Sequence, residues 1–394
     1  MNPGGATLHD RGRSLPASGF LTTLLQQHPH PAIDRVMREP AKFRPEAVYI
    51  RIGRNADGTP SFSTYRLGSH LASYFYPAST VKLPLVLCAL EKLRSIGDPR
   101  LTVDTPFYAP GGEAGDADVP TTIRRCVGEI FCVSDNPAAN RLYEFVGPDA
   151  LRASLTAKGY HHTEIRHRFG LPPERALDPG SGPVRFRCGD TEIYSRAAVH
   201  RPPAPAPPGF PAEGTSNRAS LEELLEMLKN VIFPASVAGE QRFDLSPGDL
   251  AMVKQAMGTF PGEARLPLYD PERHPPAYCK FILWGGARDI SIPPYLRVYN
   301  KSGWACGQLT DVAYVADDRY GVEFMLAATL STGDSGAAPG EVPDYDAVCK
   351  PFLGTLGQRI YAYELQQTGK YLPPTARYNP FTPQTRDARR ETHR

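Results

Sequence analysis

The order of strand-like and helix-like segments is the feature of this sequence that most constrains its fold. Two segments rich in β-branched and aromatic residues, 46–54 and 61–68, flank the turn residues NADGTP and predict a β-hairpin. Three similar segments, 294–303, 309–318 and 321–331, follow near the end of the chain. Strands at both ends with helices between them predict an α+β domain. We expect one antiparallel sheet faced by helices, with a helical lobe inserted midway.

Helical periodicity dominates the region between the two groups of strands. The segment 121–146 predicts a helix, a break near Ser134 to Pro137, and a second helix. Serines precede two amphipathic segments and predict their N-caps. Helices are predicted, in whole or in part, over 20–39, 77–93, 121–146, 220–232, 247–258 and 344–367.

Composition excludes several classes of protein. The net charge of +2 is spread along the chain, so we expect no nucleic-acid interface and no membrane-binding polybasic surface. No apolar run reaches the roughly 18 residues of a membrane span, and FLTTLL at 20–25 is too short for the apolar region of a signal peptide. Seven cysteines are an odd number, so at least one thiol is not in an intramolecular disulfide.

Three short motifs occur in a fixed order along the chain. Ser79 and Lys82 form S-x-x-K at a predicted helix start, so their side chains share one helical face. S-D-N begins at Ser134, and K-S-G begins at Lys301. S-x-x-K alone should arise about 0.5 times by chance in this composition, but the ordered set has a chance probability on the order of one in a thousand. The set therefore indicates a catalytic site.

Together the motifs resemble those of the penicillin-recognising serine hydrolases, and the S-D-N version is most similar to the class A β-lactamases. The resemblance runs from about residue 31 to 368 and implies the α+β fold described above. We therefore expect one catalytic domain over 31–369. Residues 1–30 and the proline-punctuated, basic stretch 370–394 are expected to be loosely ordered tails.

The resemblance assigns roles to the motif residues. Ser79 is the nucleophile, and Lys82, with its pKa lowered by burial and by Lys301, accepts its proton. Ser134 passes a proton to the leaving nitrogen. Asn136 binds the acyl side chain of the substrate, and Asp135 braces the turn. Lys301 and Ser302 bind the substrate carboxylate, Gly303 permits close approach, and Trp304 supplies an oxyanion-hole amide where the family has a small residue.

A base for hydrolysis of the acyl-enzyme is expected from a loop glutamate. PPERALDPG offers Glu174-x-x-Leu177-Asp178, with Asp178 where the family has asparagine. Asn140 corresponds to the family asparagine that orients this glutamate. An exposed glutamate in a proline-rich loop is also typical of ordinary surface, so both readings are open.

The distance from Ser134 to Lys301 exceeds that in the family, and the excess falls near 185–214 and 265–297. These insertions either border the cleft or are surface loops. Three histidines at 161, 162 and 167 lack metal-ligand spacing, so we expect no metal and no cofactor.

Two functional classes fit these observations. The first is a serine hydrolase that opens a β-lactam or a related amide or ester through an acyl-enzyme on Ser79. The alternative is a D,D-peptidase-like, esterase-like or penicillin-binding relative with little or no β-lactam turnover. We expect a small-molecule substrate and a monomer. The resemblance implies a periplasmic or secreted location, although the sequence as given shows no signal peptide.

Overall fold

The computed structural model describes residues 19–68, 74–113, 115–202, 216–264, 270–333 and 343–367. The strands are β1 Glu46–Arg54, β2 Pro60–Leu67, β3 Phe107–Tyr108, β4 Val184–Cys188, β5 Thr191–Arg196, β6 Leu296–Ala305, β7 Gln308–Asp317 and β8 Val322–Ser331. The helices are α1 Phe20–Gln26, α2 Pro31–Arg38, α3 Pro40–Phe43, α4 Lys82–Ser95, α5 Ile123–Val133, α6 Asn136–Val146, α7 Pro148–Ala157, α8 Pro173–Ala176, α9 Leu221–Ile232, α10 Pro247–Gly258, α11 Phe281–Trp284 and α12 Cys349–Gln367.

Five strands form the main antiparallel sheet in the order β2-β1-β8-β7-β6. Alternate residues of a strand point to opposite faces, and the core divides accordingly. On β8, Met325 and Ala327 join the hydrophobic cluster that contains α4 and α9. Phe324 and Leu326 join the cluster that contains α1, α2 and α12. The sheet is therefore covered by helices on both faces, and the predicted α+β architecture is confirmed.

The helical lobe is built around α4. Ten of its residues are buried, because α6, α7 and α9 pack around it. A helix that is apolar on all sides belongs in a core, which explains the sequence LPLVLCAL. The N-terminal end of α4 meets β6 at the edge of the sheet. This junction brings the S-x-x-K motif next to the K-S-G motif.

Two expectations from the sequence need correction. Residues 20–30 were assigned to a loosely ordered tail, but α1 lies there and buries Phe20, Leu21, Leu24 and Leu25. The first insertion is not only loop, because β4 and β5 form a hairpin that pairs with β3 in a second sheet. Residues 1–18, 203–215 and 370–394 lie outside the described residues, so the polyproline-like segment and both remaining tail predictions stay predictions.

The cysteines and the membrane prediction can be checked in the described residues. All seven cysteines are free thiols, including Cys126 and Cys132 on α5. Within the described ranges, none of the helices combines the length and the apolar character that crossing a bilayer requires.

Candidate active site

Ser79 lies in a 3₁₀ turn, Ala78–Val81, that leads directly into α4. Ala78 has a φ of 46°, a left-handed conformation that a residue with a Cβ adopts at an energetic cost. The hydroxyl of Thr80 donates to the carbonyl of Pro77 at 2.7 Å and fixes the turn. Ser79 itself is half-buried and lines a cavity of about 410 Å³. The turn therefore presents the serine to an open site from a rigid base.

Gly303 on β6 allows the strand to pass directly beneath this turn. A Cβ at Gly303 would lie 2.5 Å from the amide nitrogen of Ser79, 2.7 Å from the carbonyl oxygen of Pro77 and 2.8 Å from the amide nitrogen of Thr80. Atoms at such distances overlap, so only glycine fits here. The sequence indicated a close approach by a ligand, but the structure shows that the backbone of the nucleophile turn is what approaches.

Lys82 is fully buried and makes three hydrogen bonds. Its Nζ donates to the carbonyl of Ser134 at 2.6 Å, the carbonyl of Asp135 at 3.2 Å and Oδ1 of Asn136 at 2.6 Å. Burial, and secondly the charge of Lys301, hold the pKa of Lys82 well below its usual range. Three donated hydrogen bonds are the full complement of an ammonium. With its pKa lowered, Lys82 loses a proton more readily than an ordinary lysine, and the neutral amine then keeps two of these bonds and has a lone pair that can accept a proton.

Ser134 ends α5 in the left-handed conformation, with φ 60° and ψ 35°. This conformation turns its two polar groups toward different lysines. Its carbonyl accepts from Lys82, and its Oγ accepts from Nζ of Lys301 at 2.9 Å. Ser134 therefore links Lys82 and Lys301. These lysines are 219 residues apart in the sequence and come together only in the folded protein.

Asp135 and Asn136 shape the start of α6. Oδ1 of Asp135 accepts from the amide of Ala138 at 2.7 Å, which is an N-cap. Oδ1 of Asn136 is occupied by Lys82, while its Nδ2 lies above the Cα of Gly170, where a Cβ would come within 2.4 Å. Both residues also line the Ser79 cavity.

Lys301 is buried in β6, and burial lowers its pKa to about 8. Its Nζ donates to Ser134 Oγ and to the carbonyl of Ser302 at 2.6 Å. The hydroxyl of Ser302 points away from the proposed substrate, because it donates to the carbonyl of Cys279 at 2.9 Å and its side chain is buried. The structure thus places Lys301 at the site and gives Ser302 a structural partner.

The second insertion supplies one wall of the cavity. Arg273, His274 and Tyr278 line it together with Trp304. The Trp304 ring meets the ring of Tyr278 edge to face at 5.9 Å and that of Phe281 at 5.3 Å. Residues of this insertion therefore border the cleft. The residues that line this cavity include none from the described part of the first insertion.

Glu174 does not share the Ser79 cavity. It is exposed on α8 and lines a separate cavity of about 260 Å³. The side chain of Asn140 bonds other groups: its Nδ2 donates to the carbonyls of Gly111 and Phe169, and its Oδ1 accepts from the amide of Phe169 at 2.8 Å. Asn140 lines the same cavity as Glu174, but among the described residues no hydrogen bond joins the two side chains, so their pairing stays a prediction.

Phe169 lies beside Lys82. Its ring is buried, and the Nζ of Lys82 lies 5.0 Å from the ring centroid. A buried ion pair holds the loop, because Nε of Arg168 donates to Oε1 of Glu144 at 2.5 Å while its other nitrogens donate to the carbonyls of Asp178 and Gly180. This arrangement is not predictable from the sequence, since an aromatic residue in a loop most often indicates packing.

A metal site needs several ligand side chains close together in space. The described parts of the chain contain no group of three or more His, Cys, Asp or Glu side chains that could hold a metal ion. Of the three histidines singled out in the sequence, His167 is buried against Tyr76, and His161 and His162 are exposed.

Comparison with solved structures identifies the same fold. The β-lactamase from Sphaerobacter thermophilus DSM 20745 is 16% identical, with a TM-score of 0.51 over 90% of this chain and 98% of that one. The β-lactamase from Desulfarculus baarsii DSM 2075 is 16% identical, with a TM-score of 0.51 over 89% and 98%. An ancestral class A β-lactamase, GNCA, is 16% identical, with a TM-score of 0.51 over 88% and 100%.

Comparison with sequences is consistent with this fold. No curated protein matches the chain. The sequence model of the β-lactamase enzyme family matches residues 63–261, which is half of the chain and includes the first two motifs. The chain therefore belongs to the β-lactamase enzyme family and is a serine hydrolase related to the class A β-lactamases.

Proposed function

We propose that Ser79 attacks the carbonyl of a β-lactam, or of a related amide or ester, and forms an acyl-enzyme that water then hydrolyses. The observation that carries the proposal is the buried chain of contacts from Lys82 through Ser134 to Lys301. Burying Lys82 and Lys301 and holding Ser134 in the left-handed conformation reduce the stability of the folded protein. Groups with such a cost are concentrated at functional sites.

In this proposal the neutral amine of Lys82 accepts the proton of Ser79 as the Ser79 Oγ–carbonyl bond forms. Among the hydrogen bonds of the described residues, none joins Lys82 Nζ to Ser79 Oγ, so this contact forms when substrate enters. The amides of Ser79 and Trp304 stabilise the oxyanion. Ser134 Oγ gives its proton to the leaving nitrogen and receives in its place the proton that Lys82 took from Ser79, which returns Lys82 to the neutral amine. The hydrogen bond from Lys301 stabilises the charge on Ser134 Oγ during this transfer.

Substrate binding uses the remaining donors. The Lys301 ammonium has three protons, and two are used by Ser134 and Ser302, which leaves one for a substrate carboxylate. Nδ2 of Asn136 is available to the acyl side chain, because its Oδ1 takes the bond from Lys82. We also propose that the protein acts as a monomer outside the cytoplasmic membrane, where members of this family typically work.

A second candidate function is favoured by Phe169. Hydrolysis of an acyl-enzyme requires a base beside the ester, and Asp135 is the one carboxylate among the described residues that line the Ser79 cavity. Its Oδ1 already caps α6. With Phe169 beside Lys82 and Glu174 in another cavity, the part of the chain that the structure describes places no carboxylate other than Asp135 to activate a water at the Ser79 ester. The alternative is therefore a penicillin-binding relative whose acyl-enzyme persists.

One experiment separates the two candidates. A penicillin is added to the protein, the excess is removed, and the intact mass is followed over time for the wild type and for Glu174→Gln. Loss of the adduct within minutes in the wild type, and its persistence in Glu174→Gln, would establish Glu174 as the base. From its exposed position we expect the adduct lifetime to be the same in both proteins. A long-lived adduct in both supports the second candidate.

A further inference from the structure

The buried amine of Lys82 lies near two separate cavities. Its partner Asn136 lines the Ser79 cavity. The second cavity, of about 260 Å³, is lined by Asn140 and Glu174 among other residues and is called here the loop cavity. Lys82 is fully buried and is not among the described residues that line either cavity. The protein therefore keeps this amine apart from both spaces.

Three consecutive residues separate the loop cavity from the amine. The first, Phe169, is buried, and its ring centroid lies 5.0 Å from Nζ of Lys82. The second, Gly170, packs directly on Asn136, since a Cβ there would lie 2.4 Å from Nδ2 of Asn136. The third, Leu171, lines the loop cavity. The three residues thus contact Lys82 and Asn136 on one side and border the loop cavity on the other.

The backbone of Phe169 is fixed by Asn140. Nδ2 of Asn140 donates to the carbonyl of Phe169 at 3.0 Å, and Oδ1 of Asn140 accepts from the amide of Phe169 at 2.8 Å. Asn140 is itself buried in α6. Because both backbone groups of Phe169 are held by one buried side chain, its ring has little freedom to move away from Lys82.

The preceding residues of the loop are also fixed. The amides of Arg166 and His167 both donate to Oδ1 of Asn217, at 2.8 Å and 3.2 Å. The buried guanidinium of Arg168 is held by Glu144 and by two backbone carbonyls. A segment with this many buried polar contacts opens rarely, so the aromatic ring at its end acts as a fixed wall.

Hydrolysis of an acyl-enzyme on Ser79 needs water at the ester. The hydroxyl of water joins the acyl carbon, the bond from this carbon to Ser79 Oγ breaks, and the second proton of water returns to Ser79 Oγ. Three carboxylates suited to binding and activating water line the loop cavity: Glu144, Glu174 and Asp178. The wall formed by residues 169–171 stands between these carboxylates and the buried amine.

We propose that residues 169–171 form a partition that keeps water in the loop cavity away from Lys82 and from the Ser79 ester, with the Phe169 ring as its seal. The inference rests on the proposed function of the Ser79 site and deepens it, because it makes the lifetime of the acyl-enzyme depend on residue 169. Phe169 is a positioning residue, since it acts through the access of water. Asn140 acts on the same step by holding Phe169.

The first measurement is the lifetime of the penicillin adduct, followed by intact mass after the excess penicillin is removed. Phe169→Ala should shorten this lifetime by at least about tenfold, because removing the ring admits water. Phe169→Leu keeps most of the apolar volume and should stay within about threefold of the wild type. Phe169→Val should lie between them. Circular dichroism checks folding, and the comparison of Val with Leu decides the outcome if Phe169→Ala does not fold.

Phe243→Ala is the matched control. Phe243 is also buried, and its ring centroid also lies 5.0 Å from a lysine Nζ, that of Lys158. Its ring stacks on Tyr160, and it is not among the described residues that line either cavity. The substitution therefore removes an equivalent ring at a distant place and should leave the adduct lifetime within about twofold of the wild type.

The second measurement does not depend on acylation by a penicillin. In a Ser79→Ala background, acetic anhydride modifies accessible lysine amines, and peptide mapping gives the rate at Lys82. Adding Phe169→Ala should increase this rate by at least about tenfold, because it removes the group that protects the buried amine. Adding Phe243→Ala should leave it unchanged.

Both results are required. An unchanged adduct lifetime or unchanged acetylation of Lys82 in Phe169→Ala would overturn the inference, and so would equal changes in Phe243→Ala. If the wild type gains no adduct, the proposed function is rejected. Acetylation alone then decides whether the partition shields Lys82.

Discussion

Lys82 is the residue whose environment is most directly tied to catalysis. The buried Nζ of Lys82 has three acceptors from the S-D-N turn within hydrogen-bond distance, and burial holds its pKa well below the usual lysine range. We predict that Lys82→Ala lowers the rate of acylation of Ser79 by about 10²- to 10⁴-fold, the usual loss on removal of a general base. Stopped reactions with a penicillin, analysed by intact mass, give the rate.

Lys92→Ala serves as the comparison, because Lys92 is on the same helix and donates to the carbonyls of Phe145 and Val146, away from the site. It should leave acylation within about twofold of the wild type. Circular dichroism checks that both variants fold. Acylation by Lys82→Ala at the wild-type rate would contradict the assignment of Lys82 as the proton acceptor.

Lys301 gives the site a pH dependence. Its pKa is lowered to about 8 by burial, so its ammonium loses a proton as the pH rises through about 8. The attraction for a carboxylate is present below that pH and disappears above it. We predict that acylation by a carboxylate-bearing penicillin declines above about pH 8 in the wild type. In Lys301→Ala the rate should be lower and flat over the same range, and a matching decline there would assign the titration to another group.

For individual residues, the sequence predicts features that depend on the spacing of residues along one helix. The S-x-x-K spacing places Ser79 and Lys82 together, and the low pKa of Lys82 follows from burial and Lys301 as expected. The position of Phe169 beside Lys82 and the position of Arg273 in the cavity wall were not predicted, because each depends on where a loop lies in the folded chain. The available signal for Arg273 was the length of the insertion near 265–297.

Among the elements, β6 and the Ser79 turn meet with no space for a side chain. We predict that Gly303→Ala displaces the turn, because the new Cβ would overlap the amide nitrogen of Ser79 at 2.5 Å. Overpacking of this kind destabilises a protein by about 1–3 kcal/mol. Acylation should fall by more than about tenfold, since the displaced amide belongs to the proposed oxyanion hole. Urea unfolding and intact mass measure the two effects.

Gly239→Ala is the matched substitution, since a Cβ there meets no heavy atom within 4 Å. Its free energy of unfolding should stay within about 0.5 kcal/mol of the wild type. If Gly303→Ala is equally harmless, the close contact of β6 with the turn does not constrain the site.

Most elements of the fold were predicted because their signals are local. The break between α5 and α6 was read from the S-D-N-P sequence, and the capping serines Ser220 and Ser246 both accept the predicted amide hydrogen bonds. The second sheet was missed, because β3 has two residues and pairs with a strand about 80 positions later. Helix α1 lies in the predicted helical segment 20–39, but its docking on the sheet was not predicted, because its burial depends on contacts with Tyr49 and Tyr65.

Across the whole molecule, the site lies where the helical lobe meets the sheet. The lobe contributes Ser79 and Lys82 from the start of α4 and Ser134 from the end of α5, and the edge strand β6 contributes Lys301. Helices α4 and α5 and strand β6 are separated from one another by other elements in the chain. The site therefore forms only when the helical lobe and the sheet have both assembled. The hydrogen bond from Lys301 Nζ to Ser134 Oγ connects the sheet to the helical lobe at the site.

The central claim is that Ser79 is the acylated nucleophile. Its most direct test is the intact mass of the wild type and of Ser79→Ala after incubation with a penicillin, followed by peptide mapping of the adduct. We predict that the wild type gains the mass of one penicillin on the peptide that contains Ser79, and that Ser79→Ala gains none. An adduct of the same mass on Ser79→Ala, or an adduct on a different residue of the wild type, would contradict the account.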